Sequence, residues 1–153
     1  MPSINMEEVN NFLLTCSPET KIYIGCDSTV IYKNNTRYAK YTSVIVIHID
    51  GCRGGIIFHE SDTEVDLSVG PRKPNVRLMN EVYRASALYL RMLDDAPYSQ
   101  LLDIEVHLDI NPDKSAKSSS VVQEAIGYIR GTCQIDPVLK PEAMAASTVA
   151  DHL

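Results

Sequence analysis

The sequence predicts an α/β fold, a mixed central sheet flanked by helices in the order βββαβαβα. Three observations carry this. Three β-branched and aromatic runs succeed one another between Lys21 and Ser61; a stripe at helical spacing separates them from a fourth such run at Asp103 to Asp109; and two further helical segments follow, around a short apolar stretch.

A leading helix comes first, because Met6, Val9, Phe12 and Leu13 recur at helical spacing between Asn5 and Leu14 and the segment stops before Ser17-Pro18. The run KIYIGCD, Lys21 to Asp27, is the first strand, with Asp27 closing it. TRYAKYTSVIVIHID, Thr36 to Asp50, is the second strand, and Asp50-Gly51 marks a tight turn into GGIIFHES. Asp62 to Lys73 mixes charge with Gly70 and Pro71 and has no period, which predicts a loop able to fold over a substrate.

A helix then starts near Pro74 or Asn75, carries Leu78, Glu81, Ala85, Leu88 and Met92 on one face, and ends near Asp94 before Asp95-Ala96-Pro97. DIEVHLD supplies the fourth strand, closed by Asp109, with Asn111-Pro112-Asp113 as a turn. KSAKSSS reads as a loop or helix cap. Val121, Val122, Ala125, Ile126 and Ile129 mark the next helix, ended at Gly131, and Cys133 to Ile135 a short strand. Pro141 opens a last helix in KPEAMAASTVAD, with Met144, Ser147 or Thr148, and Asp151 along one face.

Four carboxylates stand where these segments call for apolar or neutral residues: Asp27 and Asp109 at strand ends, Glu81 on a core-facing step of its helix, Asp151 on the inner face of the last. Burying several carboxylates together is unfavourable unless a cation neutralises them. All-oxygen ligands select hard ions, Mg²⁺ or Mn²⁺ rather than Zn²⁺. Two such ions about 3.5–4 Å apart stabilise both the attacking and the leaving oxygen at phosphorus. The chemistry so indicated is phosphodiester hydrolysis.

IGCDST (Ile24 to Thr29), RLMNEV (Arg77 to Val82), HLDIN (His107 to Asn111), GYIRG (Gly127 to Gly131) and KPEAMAASTVAD (Lys140 to Asp151) together resemble the ribonuclease H-like superfamily, and more narrowly its YkuK-type family of predicted nucleases. The resemblance covers nearly the whole chain. It implies a ribonuclease H-like fold in which Asp27, Glu81, Asp109 and Asp151 are the metal ligands and catalytic acids. Lys140 is then placed to neutralise charge in the transition state, and Ser28 and Asn111 to contact substrate.

One domain over residues 1–153 suits the length, and 44% hydrophobic residues suffice for a core. No apolar run approaches 18 residues and the N-terminus is acidic and polar, so a cytoplasmic protein with no membrane partner is expected. Cys16, Cys26, Cys52 and Cys133 form no CxxC pair and read as reduced thiols. The net charge of −6 counts against a broad nucleic-acid surface, since phosphate affinity comes from Lys and Arg. The positive residues are grouped, however, as Lys33, Arg37 and Lys40; Arg72, Lys73, Arg77 and Arg84; and Lys114 with Lys117. A short or structured substrate suits this charge better than long duplex.

His48 and His59 with Cys26 and Cys52 match no zinc spacing, and Cys26 and Asp27 face opposite ways on a strand. His107 shares a face with Asp109 and is read first as a packed histidine; His152 beside Asp151 is either a proton shuttle or a frayed end. Ser28 lies in no GxSxG elbow, and Gly51, Gly54 and Gly55 belong to no phosphate-loop pattern. The expected function is therefore a two-metal nuclease acting on RNA, DNA or a hybrid. The rival is an inactive ribonuclease H-like scaffold that binds nucleic acid or protein; a small phosphoester as substrate is a third expectation.

Overall fold

The structure, a computed structural model, describes residues 3–51, 54–67, 74–110 and 116–139. Helix α1 (Met6–Leu13) starts where Asn5 caps it, its side chain accepting from the amides of Glu7 and Glu8 at 3.0 and 3.2 Å. Met6, Val9 and Leu13 are its buried face, as the spacing predicts.

Strand β1 runs over Lys21–Lys33 and β2 over Thr36–His48, two 13-residue strands in one antiparallel hairpin. Asp27 therefore does not end the first strand. The residues after it, Ser-Thr-Val-Ile-Tyr, are themselves β-formers, and Asn34 and Asn35, at φ of 51° and 65°, make the two-residue turn that lets them pair. Strand β3 (Gly55–Val65) returns antiparallel to β2. Gly55 is required at its start, since a β-carbon there would lie 2.4 Å from the Ile47 carbonyl oxygen. The preceding turn, Ile49–Gly51, is a short 3₁₀ turn with Asp50 at φ 54°.

Asp62 to Val65, expected as loop, are the end of β3. Their lack of apolar period has a physical cause: the acids at alternate positions face helix α2 (Pro74–Asp95) and pair with its arginines. Arg91 reaches Glu60 at 2.6 Å, and Arg84 reaches Asp62 at 2.6 Å and Glu64 at 3.3 Å. Strand β4 (Asp103–His107) adds parallel to β1, giving a mixed sheet of order β3-β2-β1-β4. It ends two residues before Asp109 rather than at it.

Helix α3 (Ala116–Cys133) begins inside the expected serine-rich loop and passes Gly131, which has open space around it. Gln134, at φ 60°, ends it in the left-handed conformation usual after a helix C-terminus. The strand expected at Cys133 to Ile135 is consequently displaced. Among the described residues the pairing beyond α3 is a parallel bridge between His107 and Val138. Residues 140–153, expected to hold the last helix, lie outside the described residues.

The main core fills one side of the sheet, where Ile22, Ile24, Ile45 and Ile47 meet Val82, Ala85, Leu88 and Met92 of α2 and Val122, Ala125 and Ile129 of α3. Tyr23, Val44 and Val46 form a second cluster on the opposite face. Glu60 ties three parts of this core's margin: its carboxylate accepts from the Ile4 amide at 2.9 Å and from two Arg91 nitrogens at 2.6 and 3.1 Å. Glu60→Ala is expected to cost about 2 kcal/mol in guanidinium unfolding, as three charge-assisted bonds go and Arg91 loses its partner. A midpoint equal to wild type would show the network to be idle. No described helix is long and apolar enough to cross a membrane.

Candidate functional site

β1 outruns β4. Their last pair is Gly25 with His107, after which β1 continues to Lys33 against β2 alone. The chain leaving β4 is held in line by Val138, whose amide donates to Val106 O at 2.8 Å and whose carbonyl accepts from the Leu108 amide at 2.9 Å. Carried two residues further, the parallel register would set Asp109 beside Asp27. Both are half-buried. The two acids thus stand where the sheet opens, one on a continuing strand and one on a departing chain.

Glu81 comes from α2, near enough to feel the charges of both. It is only 8% exposed, in the stripe with Ala85, Leu88 and Met92, as its spacing predicts. Ser28 Oγ donates to its Oε2. Burial pushes the Glu81 carboxyl up to about 8; the Ser28 bond and Arg77 oppose the rise, and the charges of Asp27 and Asp109 add to it. Glu81 therefore feels the fields of two other carboxylates, one on β1 and one on the chain that leaves β4.

Strand parity governs how they meet. Ser28, which touches Glu81, faces α2, so Asp27 faces the other way, beside its cross-strand partner Thr42. Among the described residues no group of three or more His, Cys, Asp and Glu side chains is arranged to hold a metal ion. The donors nonetheless fit a hard divalent cation in kind: all are carboxylate oxygens, and a cation would offset both the burial of the Glu81 charge and the smaller repulsion from Asp27 and Asp109. Asn111, Lys140 and Asp151 lie outside the described residues.

Thr42 is the polar neighbour that motif reading passed over. It is 8% exposed, shares its hydroxyl with Ser61 Oγ at 3.3 Å, and interrupts, with Ser43, the apolar run of β2 opposite Asp27. That interruption was its signal. His107 is a packed residue, 2% exposed, with Nε2 at 3.0 Å from Glu105 Oε1 and its ring 4.8 Å from that of Tyr23. Burial holds its pKa below the ordinary range, against the pull of Glu105. Cys26 is a buried thiol raised far above the ordinary range by burial, so it is inert.

A family model described as Ribonuclease H-like matches residues 5–153. No curated protein and no solved structure matches the chain. The family match runs through every described element, and the mixed sheet with acids where β1 and β4 part agrees with it: the chain belongs to the ribonuclease H-like family.

Proposed function

We propose that the protein is a divalent-metal-dependent nuclease hydrolysing phosphodiester bonds of RNA or DNA. The observation that carries this reading is Glu81, a carboxylate driven toward neutrality chiefly by its burial, with the charges of Asp27 and Asp109 adding to the rise. A fold keeps such a group at a cost of a few kcal/mol, and a function offsets that cost better than packing does. Asp27, Glu81 and Asp109, with Asp151, would hold two Mg²⁺ or Mn²⁺ ions. Bound there, the ions would supply charge neutralisation on the phosphate and clamp the attacking and leaving oxygens.

The chain's own groups prepare that site. Ser28 fixes the rotamer of Glu81 by donating to one oxygen, leaving the other for a ligand. Thr42 and Ser61, joined to each other, present hydroxyls beside Asp27 suited to a substrate phosphate or an outer-shell water. Lys140 is assigned to the charge of the transition state and Asn111 to substrate, both by sequence position.

A labelled panel of single-stranded RNA, single-stranded DNA, hybrid, duplex and junction, incubated with Mg²⁺, Mn²⁺ or EDTA, tests the reading. Cutting that EDTA abolishes supports it; no cutting of any member removes it. Independently, Mn²⁺ at a hundred times its Kd is expected to raise the melting temperature by about 5–10 °C. Asp27→Asn is expected to remove most of that rise, and a full rise in the variant would take Asp27 out of the ligand set.

A second reading, a scaffold that binds nucleic acid or protein without cutting, is favoured by one observation. Among the described residues the carboxylates do not form a preassembled ion cage. Under that reading strands bind in the panel and none is cleaved.

A further inference from the structure

The register of β1, β2 and β3 resolves where the negative charge of the chain goes. Along the part of the sheet that projects beyond β4, the positions facing α2 include Asp62 and Glu64, which Arg84 neutralises, and Arg37, which pairs with Asp66 just past β3 at 2.6 Å. The opposite face begins at Asp27 and runs to the Asn34–Asn35 turn. From there on β1, β2 and β3 place no other acid on it. It carries Lys33 and Lys40, the hydroxyls of Thr29, Thr36 and Thr63, the ring of Tyr38, and the apolar Ile31 and Val65 that flank that ring. Lys33, Thr29 and Thr63 are exposed, and Lys40, Thr36 and Tyr38 partly so.

We infer that this face is the track along which a single strand of nucleic acid lies, leading its backbone to Asp27. The inference rests on the nuclease reading and adds to it the substrate's form and path. Charge complementarity favours this occupant: a net charge of −6 disfavours polyanions on the whole, while on this face two lysines and a row of hydroxyl donors stand together with Asp27 as the one acid that β1, β2 and β3 place there. The track is about 20 Å long from Asp27 to Lys33 at the rise of a strand, room for about four nucleotides. A single strand is preferred over duplex because Tyr38 can stack only on a base that is not already stacked in a helix, and two lysines are few for paired phosphate rails.

The test is binding of end-labelled single-stranded RNA and DNA 12-mers by the full chain in EDTA, followed by anisotropy over a salt series. Lys33→Gln with Lys40→Gln is expected to weaken binding about tenfold at 0.1 M salt and to flatten the slope of log K against log salt by about 1.4, two contacts at 0.7 each. Tyr38→Ala is expected to weaken binding of these strands and not of an abasic strand. Lys21→Gln with Arg130→Gln is a charge-matched control, since both residues are already paired, with Asp103 and Asp136. Wild-type affinity and slope in the Lys33/Lys40 variant overturn the track, as does an equal loss in the control or an absence of single-strand binding by the unaltered protein. Metal-dependent cutting of the duplex or junction in any of those cases keeps the nuclease and discards only this face.

Discussion

Asp109→Asn is expected to lower metal-dependent cleavage on the order of a thousandfold, about 4 kcal/mol of barrier, while the protein melts within a few degrees of wild type. The amide keeps the shape of the carboxylate but neither its charge nor its strength as a ligand for a hard cation. Leu108 and Ile110, both buried, and the Val138 bridge hold the backbone on either side, so the local path does not depend on the acid's charge. Relief of repulsion on Glu81 even favours the fold, because Asp109 is one of the charges that raise it. Loss of cutting with the fold retained is thus the signature of a ligand. Turnover within tenfold of wild type in the variant would remove Asp109 from the chemistry, and with it the two-ion arrangement.

The fold was legible where pattern and pairing coincide. The helical stripe through Glu81, Ala85, Leu88 and Met92 needed no partner to be read, and α2 lies where it says. The strands were legible in kind and misplaced in extent, for one reason: strand ends are set by what pairs, and pairing is not local. Ser28 to Lys33 are half-exposed or exposed and carry no strong alternation, yet they extend β1 because β2 is opposite them. Asp62 to Val65 read as loop because their charges are satisfied from α2, 20 or more residues on. α3 overran Gly131 because a glycine with free space around it costs a helix about 1 kcal/mol and does not stop it.

The site divides in the same way. That Asp27 and Asp109 lie near enough to Glu81 for their charges to raise it follows from element order, which the sequence carries. Which face each takes follows from parity. A strand ending at Asp27 would leave that carboxylate free to turn toward Glu81, whereas a strand continuing to Lys33 commits Ser28 to Glu81 and Asp27 to the face with Thr42. The basic groups were likewise visible as clusters, but only the register separates Arg37 and Arg84, spent on acids, from Lys33 and Lys40, which share a face with Asp27.

In EDTA, the stability of the protein is expected to fall as pH rises from about 4.5 to about 8, and Glu81→Gln is expected to flatten most of that fall. Glu81 titrates near the ordinary 4.5 in the unfolded chain and at about 8 in the fold. Below 4.5 it is protonated in both states and contributes no pH dependence. Between the two values the unfolded chain releases its proton and the fold keeps it, so each step upward in pH favours unfolding; above about 8 both are ionised and the penalty is complete. The whole is worth a few kcal/mol, several degrees in melting temperature for a chain of this size. Glutamine holds the neutral shape, can still accept from Ser28, and has no proton to lose. Mn²⁺ opposes this, because it binds the ionised form, so with Mn²⁺ present the fall is expected to be smaller and to end at a lower pH than in EDTA, and the rise in melting temperature that Mn²⁺ gives should grow with pH. A wild-type profile in EDTA that does not fall between 4.5 and 8 would mean that Glu81 is ionised in the fold without help, and the main physical argument for a cation at this site would go with it.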